Sequence, residues 1–261
     1  MEMFSDLQRL VVTIAIASPR LLMVLWMLPF LTESVLQGTF RNVFGFSLVV
    51  FTYPGIYLQL PAGGLEVLPM LAIVFKEVFI GAIIGFVAAS AFWVAASVGF
   101  LIDLQRGAFV ATLFTAVFRG QVSPLGSLLL QTLTVLFFIS GGFLILLNAV
   151  YSSYDFWPIL DFFPNINSKL LIYIIEQFQL IAYLSIFLAM PILILMFLID
   201  LIMGFINRFV PQLQVFFLSL PIKGALAIFI LILYMNGFGN YFEEYFRQTD
   251  LVVQKLSKVL E

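Results

Sequence analysis

Long runs of apolar residues, separated by short polar segments, are the dominant pattern along this chain. A helix of about 20 apolar residues crosses a bilayer, and in lipid each spanning segment must satisfy its own backbone hydrogen bonds. The run at 124–150 carries no charged side chain, which differs from the short alternating strands of a transmembrane barrel. The pattern predicts an all-α fold with six apolar helices, at residues 10–32, 41–60, 67–102, 124–150, 170–205 and 213–236.

Two of these runs, 67–102 and 170–205, are too long for one perpendicular span, because each would exceed about 45 Å as a straight helix. We expect them to tilt, to break or to project beyond the bilayer. Proline removes a helix hydrogen bond and glycine lets backbones approach each other. The predicted bend or close-packing points are Pro191, Gly81, Gly85 and Gly99.

The connector at Leu104–Ser123 is unusually apolar for a solvated loop. We expect it to be packed inside an assembly, where its phenylalanines would form a deformable seal against water and ions. These rings are Phe109, Phe114 and Phe118. The tail from about Gly239 has apolar residues at helical spacing and is predicted to be an amphipathic helix that caps the fold or contacts a partner.

Composition places this chain outside the soluble proteins, since 63% of its residues are hydrophobic and 10% are charged, against about 45–50% apolar residues in soluble domains. A net charge of −2 without a basic run argues against nucleic-acid binding. The chain has neither cysteine nor histidine, which removes disulfides, thiolate nucleophiles and the commonest zinc ligands. We therefore expect no metal and no cofactor.

Four charged residues, Lys76, Glu77, Asp200 and Lys223, lie within or beside apolar runs. A charge at the middle of a bilayer costs about 2.5–3.5 kcal/mol even on the mildest scale. The charges either pair with neighbouring helices and set their register, or line a wet passage or a partner surface. In a different hypothesis the chain is a secondary transporter working alone, with Glu77 and Asp200 as proton or ion carriers.

Residues 102–108, Ile-Asp-Leu-Gln-Arg-Gly-Ala, resemble the Asp-x-Gln-Arg-Gly-Ala motif of the SctT/SpaR/YscT family of type III export-apparatus proteins, relatives of flagellar FliR. Arg106-Gly107 is more similar to the injectisome branch than to the flagellar one, although a flagellar role stays open. Further blocks resemble the family in the same order: Pro29-Phe30 followed by Arg41-Asn42, Lys76-Glu77 with Gly81, Ser123-Pro124-Leu125-Gly126, Gly141-Gly142, and Asp200 with Gly204 and residues 208–214, Arg-Phe-Val-Pro-Gln-Leu-Gln.

This resemblance implies a single-copy subunit of an export gate in the bacterial inner membrane, multi-pass and within the base of the secretion system. The implied partners are SctR-like (FliP-like), SctS-like (FliQ-like) and SctU-like (FlhB-like) subunits, unfolded secreted polypeptides and membrane lipid. The resemblance also implies no enzymatic chemistry and no catalytic residue in this chain, and a single domain over 1–261 with a core at about 10–236 and an amphipathic tail at 239–261. Much of the complex would lie outside the membrane plane.

The resemblance also implies that the connector after the motif, about 106–123, is a plug. Its expected residues are Arg106, Gly107, Phe109, Phe114, Phe118 and Ser123. Residues expected in motif and subunit packing are Asp103, Gln105, Lys76, Glu77, Gly81, Asp200, Gly204, Arg208, Pro211 and Gln212. The family usually has Asp-Pro where this chain has Thr115-Ala116, so the resemblance does not predict the conformation of the inner turn of the plug. A simpler interpretation of Arg106 is a helix-end charge that offsets Asp103.

Overall fold

The computed structural model describes residues 2–31, 38–59, 66–109, 123–161, 168–212 and 214–260, and it describes the backbone alone at 2–8, 168 and 247–260. Over these ranges the regular structure is helical, which confirms the all-α prediction. A short 3-10 turn, Pro29–Leu31, follows the first helix. The described α-helices are α1 (Glu2–Met27), α2 (Gly38–Gln59), α3 (Val67–Gln105), α4 (Pro124–Ile139), α5 (Gly142–Phe156), α6 (Ser168–Phe209) and α7 (Val215–Leu260).

The apolar run at 124–150 differs from the single helix expected, because it forms α4 and α5 with a bend of 72° between them. Gly141 has a φ of 76°, a left-handed conformation that ends α4 and that glycine adopts without steric cost. The Gly141 carbonyl then accepts the first helical hydrogen bonds of α5, from the amides of Leu144 and Ile145 at 3.0 and 3.2 Å. The bend is thus a property of one residue within an otherwise continuous apolar run.

The two longest predicted runs are continuous helices of 39 residues (α3) and 42 residues (α6). Pro191 lies inside α6 without interrupting it. Gly81 and Gly99 lie inside α3 and serve close packing, since a Cβ at Gly81 would lie 2.5 Å from the Arg20 carbonyl oxygen. The C-terminal tail is helical as predicted, but it continues α7 directly instead of forming a separate helix.

The described chain divides into two compact units. Unit 1 comprises Met1–Ser90, Gly141–Ile175 and Arg247–Glu261, and unit 2 comprises Ala91–Ser140 and Glu176–Phe246. The prediction of a single domain stays a prediction. In unit 1, α1 packs against α2 around fully buried residues such as Ile16, Ala17 and Leu21. A neighbouring cluster joins Ile83 and Val87 of α3 to Leu170 and Tyr173 of α6.

The core of unit 2 contains a group of aromatic rings that pack edge to face. The Phe92 ring lies 5.2 Å from that of Phe137, which in turn lies 5.1 Å from that of Phe246, all measured between centroids. Leu129 and Leu133 of α4 are also fully buried in this unit. This core connects α3, α4 and α7 within unit 2.

Among the described residues, four helical segments are long and apolar enough to cross a membrane, and the bent α4–α5 pair is a fifth if it forms one span. Their burial differs greatly: 67% of the most apolar segment of α3 is buried, against 28% in α6 and 22% in α7. Among these described segments α3 is the most buried, and α6 and α7 are the most exposed. The four segments are Arg9–Met27, Val67–Gln105, Lys169–Phe209 and Val215–Phe246.

Candidate functional site

The first network of buried charges lies in unit 1 and joins α1 to α3. The Arg20 guanidinium donates to both carboxylate oxygens of Glu77, from Nε at 2.7 Å and from Nη2 at 2.9 Å. It also donates to Ser153 Oγ and to the Trp157 carbonyl, each at 2.9 Å, and lies 4.0 Å from the centroid of the Tyr154 ring. Both side chains of the ion pair have no exposed surface, so this two-point pair is fully removed from solvent.

Lys76 extends this network to the end of α5. Its Nζ donates to the carbonyls of Pro158, Ile159 and Asp161 at 2.8 Å each, and lies 3.3 Å from Glu77 Oε1. Carbonyls beyond a helix C-terminus have no partner within the helix and lie where the helix dipole is negative. An ammonium group at this point satisfies them and holds the chain as it leaves α5.

The unit 1 network contains two cations, Arg20 and Lys76, for one carboxylate, Glu77. Main-chain carbonyl oxygens that accept from both cations stabilise the excess positive charge. Glu77 lies between both cations without exposed surface, which matches the interpretation that intramembrane charges pair and set register. Such a carboxylate is poorly placed to exchange protons with water.

Arg20 was not among the residues expected from the sequence, although it is the centre of this network. The signal was available, because Arg20 interrupts an apolar run as Lys76 and Glu77 do. Gly81, one helical turn beyond Glu77, permits the pair to form, since a side chain there would meet the backbone of Arg20. The close approach of α1 and α3 and the buried ion pair therefore depend on each other.

The second network lies in unit 2, where α3 ends. Gly107 has a φ of 76°, and its amide donates to the Leu104 carbonyl at 3.2 Å. The Ala108 amide donates to the Asp103 carbonyl at 3.0 Å. These two bonds form a Schellman motif, which terminates a helix at a left-handed glycine. The Arg-Gly of the sequence motif is thus the C-terminal cap of α3.

The Asp103 side chain is fully buried and connects this cap to the start of α4. It accepts hydrogen bonds from Arg106 Nε at 2.7 Å, from Ser123 Oγ at 2.6 Å and from the Leu125 amide at 2.9 Å. Ser123 is the N-cap of α4, and its Oγ accepts from the Gly126 amide at 2.9 Å. Arg106 thus pairs with Asp103, as the helix-end interpretation requires.

The backbones of α3 and α4 approach closely beside Asp103. A Cβ at Gly99 would clash with the backbone of Gly126, and a Cβ at Gly126 would lie 2.9 Å from the Ala96 carbonyl oxygen. Glycine at both positions lets the first turn of α4 rest on α3. This contact places the amide of Leu125 within reach of the Asp103 carboxylate.

Asp200 forms a third network in unit 2. It pairs with Lys223 Nζ at 2.9 Å and accepts from Gln105 Nε2 at 3.1 Å, which links α3, α6 and α7. The Asp200 side chain is 36% exposed and that of Lys223 6%. One turn after Asp200, Gly204 faces open space. The remaining expected packing residues, Arg208, Pro211 and Gln212, are exposed at and beyond the end of α6.

Only part of the expected plug falls within the described residues. The Phe109 ring lies 5.3 Å from that of Phe100, between centroids, at the start of the connector. Arg106, Gly107 and Ser123 form the two ends already described. Phe114 and Phe118 lie outside the described residues, as do Thr115 and Ala116.

Comparisons with known proteins cover nearly the whole chain. The sequence pattern of the bacterial export proteins, family 1, matches residues 11–249. Yop proteins translocation protein T of Yersinia pestis is 39% identical over 234 residues, which cover 89% of each chain. Surface presentation of antigens protein SpaR of Salmonella typhimurium is 26% identical over 235 residues, 90% of this chain and 87% of that one. Flagellar biosynthetic protein FliR of Bacillus subtilis is 30% identical over 164 residues, 62% and 63% of the two chains.

Proposed function

This chain belongs to the family of bacterial export proteins, family 1, and on that premise we propose that it is the single-copy, gate-forming subunit of a type III secretion export apparatus. Its relatives are components of secretion apparatus and not enzymes. The chain itself is a membrane component of this kind, with several helices long and apolar enough to span. The proposal concerns its place in the apparatus and the role of the connector at 106–123.

The observation that supports the gate most directly is the attachment of that connector at both ends to one buried carboxylate, Asp103. A gate must hold back small ions and yet give way to an unfolded polypeptide. Residues 110–122 are mostly apolar, contain no proline and carry one charge, Arg119. A segment of this composition excludes ions when packed, and its fixed ends return it to the same place after displacement.

The expected partners are supported by the amount of exposed apolar surface on α6. This helix has 42 residues and is about 63 Å long, whereas the hydrocarbon core of a bilayer is about 30 Å thick. Large exposed apolar side chains extend from Leu171 to Phe209. Lipid covers only part of that length even for a tilted helix, and SctR-like, SctS-like and SctU-like subunits of an inner-membrane apparatus would cover the rest.

The exposed residues at and beyond the end of α6, Gly204, Arg208, Pro211 and Gln212, are in this proposal contacts to those subunits. Gly204 offers a backbone surface without a neighbour, at which a partner helix can approach closely. Arg208 ends an apolar helix with an exposed charge that needs a polar or acidic partner. Unfolded secreted polypeptides would pass through the assembled portal.

Two other functions are less well supported. A flagellar role for the same fold agrees less with the comparisons, because identity to Yop translocation protein T is higher and extends over more of the chain than identity to FliR. A transporter working alone would need mobile protons at Glu77 and Asp200. Glu77 is instead held by Arg20 and Lys76, and Asp200 by Lys223 and Gln105.

Deletion of residues 109–118 tests the plug. In cells that carry the whole apparatus, this deletion is expected to cause loss of potassium without reducing the amount of assembled complex. A variant in which the same ten positions are replaced by a Gly-Ser linker of equal length is the matched control for connector length, and it should leak as well because it lacks apolar rings. Unchanged potassium retention in both variants would refute the plug.

Native mass spectrometry of gently solubilised complexes tests the place in the apparatus. One copy of this chain in a mixed assembly is expected. A lone chain or a homodimer that moves a small solute through vesicles would instead support the transporter.

A further inference from the structure

The Asp103 carboxylate contacts both ends of the connector at 106–122. Its Oδ1 accepts from Arg106 Nε, where the chain leaves α3, and its Oδ2 accepts from Ser123 Oγ and the Leu125 amide, where the chain enters α4. We name these four residues, Asp103, Arg106, Ser123 and Leu125, the clasp. Ser123 thus lies 20 positions along the chain from the Asp103 side chain to which it is bound.

The surroundings of the clasp hold the Asp103 carboxylate in a fixed position. Asp103 has no exposed surface, and the side chain of Arg106 is 18% exposed. The Leu125 amide belongs to the first turn of α4, where the helix dipole is positive and amides lack partners within the helix. Each bond to the carboxylate is charge-assisted and stronger than a bond between neutral groups. Loss of the Asp103 side chain would therefore remove side-chain hydrogen bonds at two chain ends at once, whereas the backbone bonds that cap α3 remain.

We propose that Asp103 is a positioning residue that holds the two ends of the 106–122 connector on a common base. The carboxylate takes no part in the seal and sets the points from which the connector extends. The role of this connector as a gate rests on the proposed function. The attachment of its two ends to Asp103 does not depend on that role. If Asp103 served only to stabilise α4, its substitution would leave amide hydrogen exchange near Arg106 unchanged.

Three variants separate the two ends. Asp103→Ala removes the side-chain hydrogen bonds at both ends of the connector. Asp103→Asn keeps an amide oxygen for Ser123 and Leu125 but turns an NH₂ donor toward the Arg106 guanidinium, so it releases the α3 end. Asp103→Asn combined with Arg106→Gln supplies an acceptor for that NH₂ and restores a neutral pair. Asp155→Asn is the matched control, because Asp155 is an exposed aspartate on α5.

Amide hydrogen exchange on the purified, fully assembled apparatus is the first measurement, in peptides covering 103–109 and 123–127. Asp103→Ala should exchange about tenfold faster or more in both peptides, as expected when a buried charge-assisted bond is lost. Asp103→Asn should do so mainly at 103–109, and the double variant should return toward the parent rate. Parent rates in both peptides for Asp103→Ala would overturn the clasp.

Potassium loss from cells carrying the apparatus is the second measurement. Asp103→Ala and Asp103→Asn should leak, and the double variant and Asp155→Asn should retain potassium. Where Asp103→Ala fails to assemble, Asp103→Asn and its double variant decide the result. Faster exchange without a leak, in cells where deletion of 109–118 does leak, would show that Asp103 stabilises α4 without positioning the gate. If that deletion does not leak, the gate itself is refuted and the exchange rates alone decide whether the clasp exists.

Discussion

The two units stabilise buried charges of opposite sign. In unit 1, two cations share one carboxylate, and main-chain carbonyls beyond the end of α5 stabilise the excess positive charge. In unit 2, the buried carboxylate of Asp103 takes donors from a side chain on each side of a connector and from the start of a helix. The first network fastens helices to each other, and the second fastens the ends of a connector.

The difference in exposure indicates what each network is for. Arg20 and Glu77 have no exposed side-chain surface, whereas Asp200 in unit 2 is 36% exposed. A sealed network has no route for exchange with water or a partner and serves as a fixed frame. The Asp200 network, which has an exposed member, is open to water and, in the proposed apparatus, to a partner subunit. This contrast leads to three predictions of decreasing size.

Removal of Glu77 should have the largest effect, because Glu77→Ala leaves Arg20 and Lys76 buried without their acid. Breaking a buried pair in this way costs about 3–5 kcal/mol. We expect a severe loss of assembled protein in the membrane and a lower midpoint for heat-induced loss of the purified complex. Glu66→Ala, at an exposed glutamate before α3, is the control and should leave both unchanged. Near-parent stability of Glu77→Ala would show that water reaches this network.

Glycines that pack against another helix and glycines that face open space should respond differently to substitution by alanine. Gly99→Ala forces a methyl group into the backbone of Gly126, and overpacking of this kind costs about 1–3 kcal/mol. Gly204→Ala meets nothing within the chain, so it should leave the chain folded but reduce capture of partner subunits in a pull-down. Gly55 also faces open space, on α2, and Gly55→Ala is the control for helix propensity. Full capture with Gly204→Ala would contradict the packing role of this face.

The smallest effect is expected at the partly exposed pair in unit 2. Lys223→Met leaves Asp200 with Gln105 as a donor and with a third of its side chain exposed, so the cost should be about 1 kcal/mol or less. The same heat-induced midpoint measures it. A loss as large as that of Glu77→Ala would mean that partner subunits bury Asp200 completely in the apparatus.

Several features of the molecule could be predicted from short segments of sequence. The helices follow from apolar runs, and the family resemblance drawn from residues 102–108 and the blocks around them is confirmed. Asp103 and Arg106 are three residues apart at the end of a helix, and their pairing is a local property. The bend at Gly141 was missed because an apolar run on both sides hides a single change of backbone conformation.

The partners of the buried charges could not be predicted in the same way. Arg20 and Glu77 are 57 positions apart, and Arg20 and Ser153 are 133 apart. Pairing over such distances depends on which faces of which helices meet. Those faces meet where glycines such as Gly81 and Gly99 remove side chains from the contact, and glycine is too common in membrane helices to indicate its neighbour.

The sequence by itself determined that this protein is helical, membrane-embedded and a member of an export family, because hydrophobic length and motif order are properties of neighbouring residues. The tertiary structure alone decided that Arg20 is the centre of the charge network in unit 1 and that Asp103 joins the two ends of a connector. The physical reason is that a buried charge is stable only beside its partners. Packing of distant helices, and not local sequence, brings those partners together.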